Sequence, residues 1–230
     1  MNQVPAVVTL HLWGVRAVAV PAALARMGMD RRLLRATPAG FWKLLGTGDG
    51  RTFTVRDADP CHWGVLTTWD REEDARAFER SATVRGWDAI SRERFVVRMR
   101  PLASRGTWAR RAPFGDPRPS RVDGPVASIT RARIRPRKAL TFWRSVPPVS
   151  TDLRRVDGLR LAVGIGEAPV GLQGTFSLWR DSDALTSFAH RRSPHLEAIT
   201  RTATEGWYAE ELFARFEVLS VDGTFAGRAP

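Results

Sequence analysis

Ala39-Gly-Phe-Trp-Lys-Leu-Leu-Gly-Thr-Gly-Asp-Gly50 is an apolar, aromatic run that enters a turn with glycine at alternate positions. Glycines so placed let the backbone take positive φ and let a flat partner come close. The stretch is no nucleotide loop: it lacks the Gly-Lys-Ser/Thr ending of a phosphate loop, and no long helical pattern follows it. A second stretch, Gly158-Leu-Arg-Leu-Ala-Val-Gly-Ile-Gly-Glu167, repeats its layout, with Gly40, Gly46 and Gly48 set against Gly158, Gly164 and Gly166. A chain that repeats in this way is expected to fold as two copies of one unit.

The flanking segments agree. Val7 to Trp13 is β-rich and apolar. A helix is expected from about Pro21, with Leu24, Met27, Leu33 and Leu34 on its inner face. Phe41 to Leu45 and His62 to Trp69 read as strands. Asp70 is placed to cap a second helix whose first turn is acidic, and Phe95 to Leu102 alternates as a last strand. After a Pro-, Gly- and Arg-rich stretch the order starts again. Val126–Arg135 is a strand, Pro136 opens a helix, and Leu159–Gly164 and Gly174–Trp179 are strands. Arg180–Phe188 opens a helix, and Phe213–Leu219 is the last strand. Trp69 and Phe78 stand in register with Trp179 and Phe188, and Gly106-Thr-Trp with Gly223-Thr-Phe.

The expected class is α+β: two tandem ferredoxin-like βαββαβ repeats forming a fused dimeric α+β barrel. The first repeat is expected over 1–110, a linker over 111–124, and a second repeat, carrying the cofactor site, over 125–230. Such a pair leaves an apolar space between sheet and helices, where small ligands bind.

Composition excludes several classes. Of 230 residues 43% are hydrophobic, as in an ordinary folded domain with a core. No run of about 18 apolar residues could span a bilayer, and the opening residues do not read as a signal peptide. Cys61 is the sole cysteine, so no internal disulfide forms, which suits the cytoplasm. The net charge of +12 is nearly all arginine, since Lys43 and Lys138 are the only lysines. The arginines are spread in short clusters without a nucleic-acid motif, so no nucleic-acid partner is expected. Two readings stay open, solvent-facing arginines or a basic face for an anionic surface or a carboxylate-bearing cofactor.

Metal-site spacing and a serine-hydrolase elbow are both missing from the sequence. His11, His62, His190 and His195 are the histidines. His195 is the strongest candidate ligand. Ser193-Pro-His reads as a capped helix start, its register partner in the first repeat is Arg85, and it opens the segment least like the repeat. A neutral imidazole there could serve as an axial haem ligand, or it could be an ordinary surface histidine. Phe41, Trp42, Trp143, Trp207 and Tyr208 could line an apolar cleft or belong to the core. Lys43 could answer a cofactor carboxylate or snorkel at the surface.

Gly-Phe-Trp-Lys-Leu-x-Gly-x-Gly at 40–48 resembles the spheroidene monooxygenase family of carotenoid biosynthesis. So do Ala132-Arg-Ile-Arg-Pro-Arg-Lys-Ala-Leu-x-Phe-Trp-Arg144, Gly164-Ile-Gly-Glu167, Glu205-Gly-Trp-Tyr-x-Glu-Glu-Leu-x-Ala-Arg-Phe216 and the Gly-Thr-Trp and Gly-Thr-Phe endings. The resemblance spans nearly the whole chain. It implies a haem-dependent oxygenase acting on a carotenoid or other hydrophobic substrate, with His195 as axial ligand and iron-binding residue. It also implies Lys43 at the cofactor and Phe41, Trp42, Trp143, Trp207 and Tyr208 around the substrate. Electrons would come from an external donor, because no flavin or nicotinamide motif is present. Contact with the inner face of the membrane would be peripheral. The opening strand and the loop from Thr52 to Asp59 match the family only loosely. Two other readings stay open: another haem reaction on this scaffold (aldoxime dehydration, peroxide chemistry or haem degradation), and a non-catalytic module binding haem or an apolar ligand. The oligomeric state is left open.

Overall fold

The computed structural model describes residues 2–48, 57–135, 137, 156–167, 174–191 and 208–230. Among these, eight strands and four α-helices follow in the order β1 (Val7–Val15), α1 (Val20–Arg35), β2 (Phe41–Gly48), β3 (Ala58–Trp69), α2 (Glu72–Phe78), α3 (Ala82–Asp88), β4 (Ser91–Gly106), β5 (Val126–Ile134), β6 (Leu159–Gly166), β7 (Gly174–Trp179), α4 (Ser182–Arg191) and β8 (Tyr208–Gly223). A 3₁₀ turn over Ala17–Ala19 leads into α1. The fold is α+β.

All strand pairs are antiparallel, and they close a barrel in the order β1-β3-β2-β6-β7-β5-β8-β4. Each half therefore contributes four strands in matching order, β4-β1-β3-β2 and β8-β5-β7-β6. The halves meet along two seams. The β4–β8 seam runs from Phe95↔Gly223 to Gly106↔Leu212. In the β2–β6 seam, among the described residues, Gly46, Thr47 and Gly48 pair with Gly166, Ile165 and Gly164.

Period-2 alternation divides every strand between two faces. Inward residues of all eight strands, among them Leu10, Leu45, Phe95, Val97, Ile129, Ile165, Phe176 and Phe216, fill the barrel. Phe114, from the stretch read as a linker, is fully buried among them and meets Phe216 edge-on at 4.8 Å. Outward residues of the first half pack under α1–α3: Val7, Trp13, Leu44, Trp63, Val65 and Trp69 lie with Met27, Leu34, Phe78 and Trp87. In the second half, Val126 and Trp179 pack against Ala184 and Phe188 of α4.

The halves match in detail. Trp69 Nε1 donates to Thr67 Oγ1 (3.0 Å), which bonds Thr9 Oγ1 (2.6 Å). Trp179 Nε1 donates to Ser177 Oγ (2.8 Å), which bonds Ser128 Oγ (2.8 Å). The strand register departs from the expected glycine alignment. Trp42 pairs with Thr67 and Leu44 with Val65, while Ala162 pairs with Ser177 and Gly164 with Thr175. Gly46 thus corresponds to Gly166, two residues beyond Gly164. A slip of two keeps every side chain on its face, so the sequence pattern cannot register it.

Two helix details also differ from expectation. The buried face of α1 is Ala23, Met27, Asp30 and Leu34, and Leu24 and Leu33 lie outside. Asp70 does not cap α2: Arg71 is the N-cap residue, without a side-chain bond. The helix there breaks after Phe78, and Ser81 caps α3 by accepting from Val84 N–H.

Candidate functional site

The two barrel mouths are built alike. Gly106-Thr-Trp-Ala-Arg110 follows β4 and Gly223-Thr-Phe-Ala-Gly227 follows β8. Gly106 and Gly223 have φ of 90° and 84°, and a Cβ at either would strike the carbonyl of Glu211 or Arg94 in the facing strand. Only glycine fits both conditions. Each turn then grips a glutamate of the opposite half. Glu210 accepts from Thr107 Oγ1 (3.1 Å), Ala109 N–H (3.2 Å) and Arg110 N–H (2.7 Å). Glu93 accepts from Thr224 Oγ1 (3.1 Å) and Gly227 N–H (2.9 Å).

What surrounds the two glutamates differs. Arg131, its side chain 5% exposed, bridges Glu210 Oε2 (2.5 Å) and Glu167 Oε1 (3.0 Å). Glu167 also accepts from Lys43 Nζ and from Trp108 Nε1. Burial raises the Glu210 carboxyl, but the backbone N–H of Arg110 and the Arg131 guanidinium outweigh it and hold it down to about 2. Glu167 is likewise lowered, with Lys43 and Trp108 overcoming burial. Two cations and two anions are matched here. The stretches carrying the family resemblance supply Lys43, Glu167, Glu210 and Trp108.

At the other mouth His62 sits between carboxylates, Nδ1 at 2.6 Å from Asp59 Oδ2 and Nε2 at 2.9 Å from Glu93 Oε1. Its ring lies 4.8 Å from that of Phe225. Burial disfavours the imidazolium, yet the two carboxylates overcome it and raise His62, while Asp59 and Glu93 are lowered. His11 is different: burial, then Arg94 and Arg98, lower it to about 3, so it stays neutral beneath Trp13 and Phe78. Among the described residues no group of His, Cys, Asp and Glu forms a metal site.

Among the described residues, the expected pocket residues Phe41, Trp42 and Tyr208 do not gather in one place. Strand alternation turns Phe41 and Lys43 into the barrel and Trp42 outward under the helices. Phe41 packs edge-on to Trp108 at 5.7 Å, and the Lys43 ammonium is held by Glu167. Tyr208 opens β8 opposite Ile134, half-buried. His195, Trp143 and Trp207 lie outside the described residues, as does the side chain of His190.

A second feature had no expectation attached. On the outer face, positions that are large in the first half are small in the second. By strand register His11 answers to Thr130, Val65 to Thr175, Trp42 to Ala162, Leu44 to Gly164 and Trp13 to Ala132. Three aromatic rings and two aliphatic side chains become hydroxyls, methyls and a glycine. The first half fills the space over its sheet with tryptophan, whereas the second lays down a low floor of small side chains at the same positions. In the sequence this contrast follows only from the strand register, two residues away from the glycine match.

No protein-family profile matches the chain. Two crystal structures of aldoxime dehydratase, one with butyraldoxime bound, superpose with TM-scores of 0.57 and 0.59. They are 12% and 11% identical and cover 92% of this chain and 80% and 79% of theirs, so they share the fold alone. Curated relatives are far closer in sequence. Spheroidene monooxygenase of Rhodobacter capsulatus is 37% identical over 92% of this chain and 89% of its own length. The Rubrivivax gelatinosus enzyme is 39% identical over 90% and 82%, and the Cereibacter sphaeroides enzyme 34% over 84% and 60%. The chain belongs to the spheroidene monooxygenase family of oxidoreductases.

Proposed function

We propose that this monooxygenase inserts oxygen into a carotenoid or closely similar hydrophobic chain, with haem as cofactor, at the outer face of the second half-barrel. Membership of the family supports the reaction and the substrate class. The low floor of Ser128, Thr130, Ala132, Ala162, Gly164 and Thr175 supports the location, because a flat macrocycle or polyene needs an area without projecting side chains. In this reading the repeat is a pair of ferredoxin-like units joined in one chain, one kept as a packed scaffold and the other opened for a ligand.

A flat macrocycle such as haem would lie along this floor, and His195 remains the residue proposed to hold its iron. When bound, haem would supply dioxygen activation, with electrons from an external donor. The chain's own residues would do the rest. Small side chains would admit the ligand, while the hydroxyls of Ser128 and Ser177 stay tied to one another and to Trp179 and leave it no competing polar group. Lys43, with its ammonium on Glu167, would act through the barrel mouth by fixing the end of β6.

The test restores the first half's side chains to the second: Ala162→Trp and Ala132→Trp. Each is expected to keep the far-ultraviolet circular dichroism spectrum while losing the carbon monoxide-sensitive Soret band and carotenoid oxygenation. A Soret band and turnover unchanged in both variants would remove the floor as the site. Wild-type protein that stays colourless with added hemin yet oxygenates a carotenoid would remove haem and leave the reaction.

A further inference from the structure

α1 is built the wrong way round for a surface helix. Its buried stripe holds Ala23, Met27, Asp30 and Leu34, so a charged residue faces inward. Asp30 is fully buried, its Oδ1 accepting from Arg26 Nη2 at 2.7 Å. The opposite face is apolar over its first turns. Val18 in the 3₁₀ turn is 80% exposed, Leu24 48%, Met29 54% and Leu33 39%. These four are most of the large exposed hydrophobic side chains among the described residues. Pro21, Ala22, Ala25 and Gly28 between them are exposed too and add no polar group. A soluble helix normally turns its polar face to water, and one apolar on both faces is covered by something.

The charge pattern says what covers it. The last turns carry Arg31, Arg32 and Arg35, all exposed, and Asp30 is the only acid from Ala17 to Arg35. Arginines at a helix C-terminus complement the dipole, which accounts for their place but not for the bare apolar surface ahead of them. A second copy docked through this face would set arginines against a surface without a carboxylate. An anionic lipid bilayer matches both features: acyl chains and glycerol backbone for Val18, Leu24 and Met29, phosphates for the arginine turn.

We propose that the outer face of α1, with the 3₁₀ turn before it, is a membrane-docking surface that lies in the interface of an anionic bilayer. The surface argument uses α1 alone and does not depend on the oxygenase reading or on haem. Docking here would hold the first half-barrel, whose space under the helices is filled, against the lipid and leave the second half free.

The experiment is co-sedimentation of the full chain with vesicles of phosphatidylcholine alone and of phosphatidylcholine with phosphatidylglycerol, at low and high salt. Wild type is expected to bind the phosphatidylglycerol vesicles and to be released by salt. Replacing Arg31, Arg32 and Arg35 together by Gln should weaken binding about 100-fold. Leu24→Glu with Met29→Glu should weaken it more than about tenfold, and Leu24→Ser with Met29→Ser provides a milder pair if the first folds poorly. All changed positions are exposed, so the thermal midpoint should hold. Equal wild-type binding to the two vesicle types, or binding undiminished in the variants, would overturn the proposal. So would wild-type dimers in sedimentation velocity that the Leu24 and Met29 changes split, without vesicle binding. Turnover on detergent-dispersed substrate should be unchanged in every variant, which separates this test from that of the active site.

Discussion

The two barrel mouths share one device and use it with different chemistry. At each, a Gly-Thr-aromatic turn from one half closes on a glutamate from the other. Around Glu210 the side-chain cation is Arg131, which it shares with Glu167, and Glu167 in turn holds Lys43. Around Glu93 the partner is a histidine, which changes charge near neutrality. The two mouths thus share one clasp, set beside an arginine–lysine pair at one end and a histidine at the other.

The largest way to break the comparison is to remove the glutamates. Glu210→Ala leaves the buried Arg131 without one of its two carboxylates and should cost about 3–5 kcal/mol. Glu93→Ala should cost less, about 1–3 kcal/mol, because His62 can lose its proton and keep Asp59. Urea unfolding of the pair decides it, and equal losses would show that the surrounding charges do not matter.

pH separates the mouths next. Glu210 is depressed from 4.5 to about 2, so its stabilisation is complete above pH 4.5 and is lost as pH falls towards 2, roughly 3 kcal/mol in all. His62 is raised above 6.5, so its contribution is complete below that pH and is lost as pH rises through the folded value. Asp59 and Glu93 are depressed, so acid weakens this mouth as well. Thermal midpoints measured against pH should fall on the alkaline side in wild type, and His62→Gln should flatten that slope while leaving the acid limb of Glu210 in place. An alkaline slope that persists in His62→Gln would assign it elsewhere.

The smallest effect tests the likeness itself. Gly106→Ala and Gly223→Ala should each cost more than about 1 kcal/mol, and by similar amounts, since both positions combine positive φ with a blocking carbonyl. A large difference between the two melting curves would mean that the turns are alike in sequence only.

Much of this was legible in the sequence. The order of the strands followed from periodicity, and the Gly-Thr-Trp and Gly-Thr-Phe endings marked two like turns, while the helix expected from Pro136 lies outside the described residues. The glutamate clasp has a sequence signal as well: Glu93 and Glu210 stand at the same distance ahead of those endings. Other features were hidden for physical reasons. The inward face of α1 includes Asp30, and apolarity alone gave Leu24 and Leu33 the core positions that Ala23 and Asp30 hold. The Lys43–Glu167–Arg131–Glu210 network joins residues far apart in the chain, and only barrel closure brings them to one mouth. The low floor emerges from a register that differs by two residues from the glycine match.

The β4–β8 seam gives the barrel a spine. Pairing that runs unbroken in direction from Phe95 to Gly106 welds one half to the other, so amide protons along it should wait for global unfolding before they exchange. Where the halves meet again, the Lys43–Glu167 pair bolts β2 to the residue that follows β6.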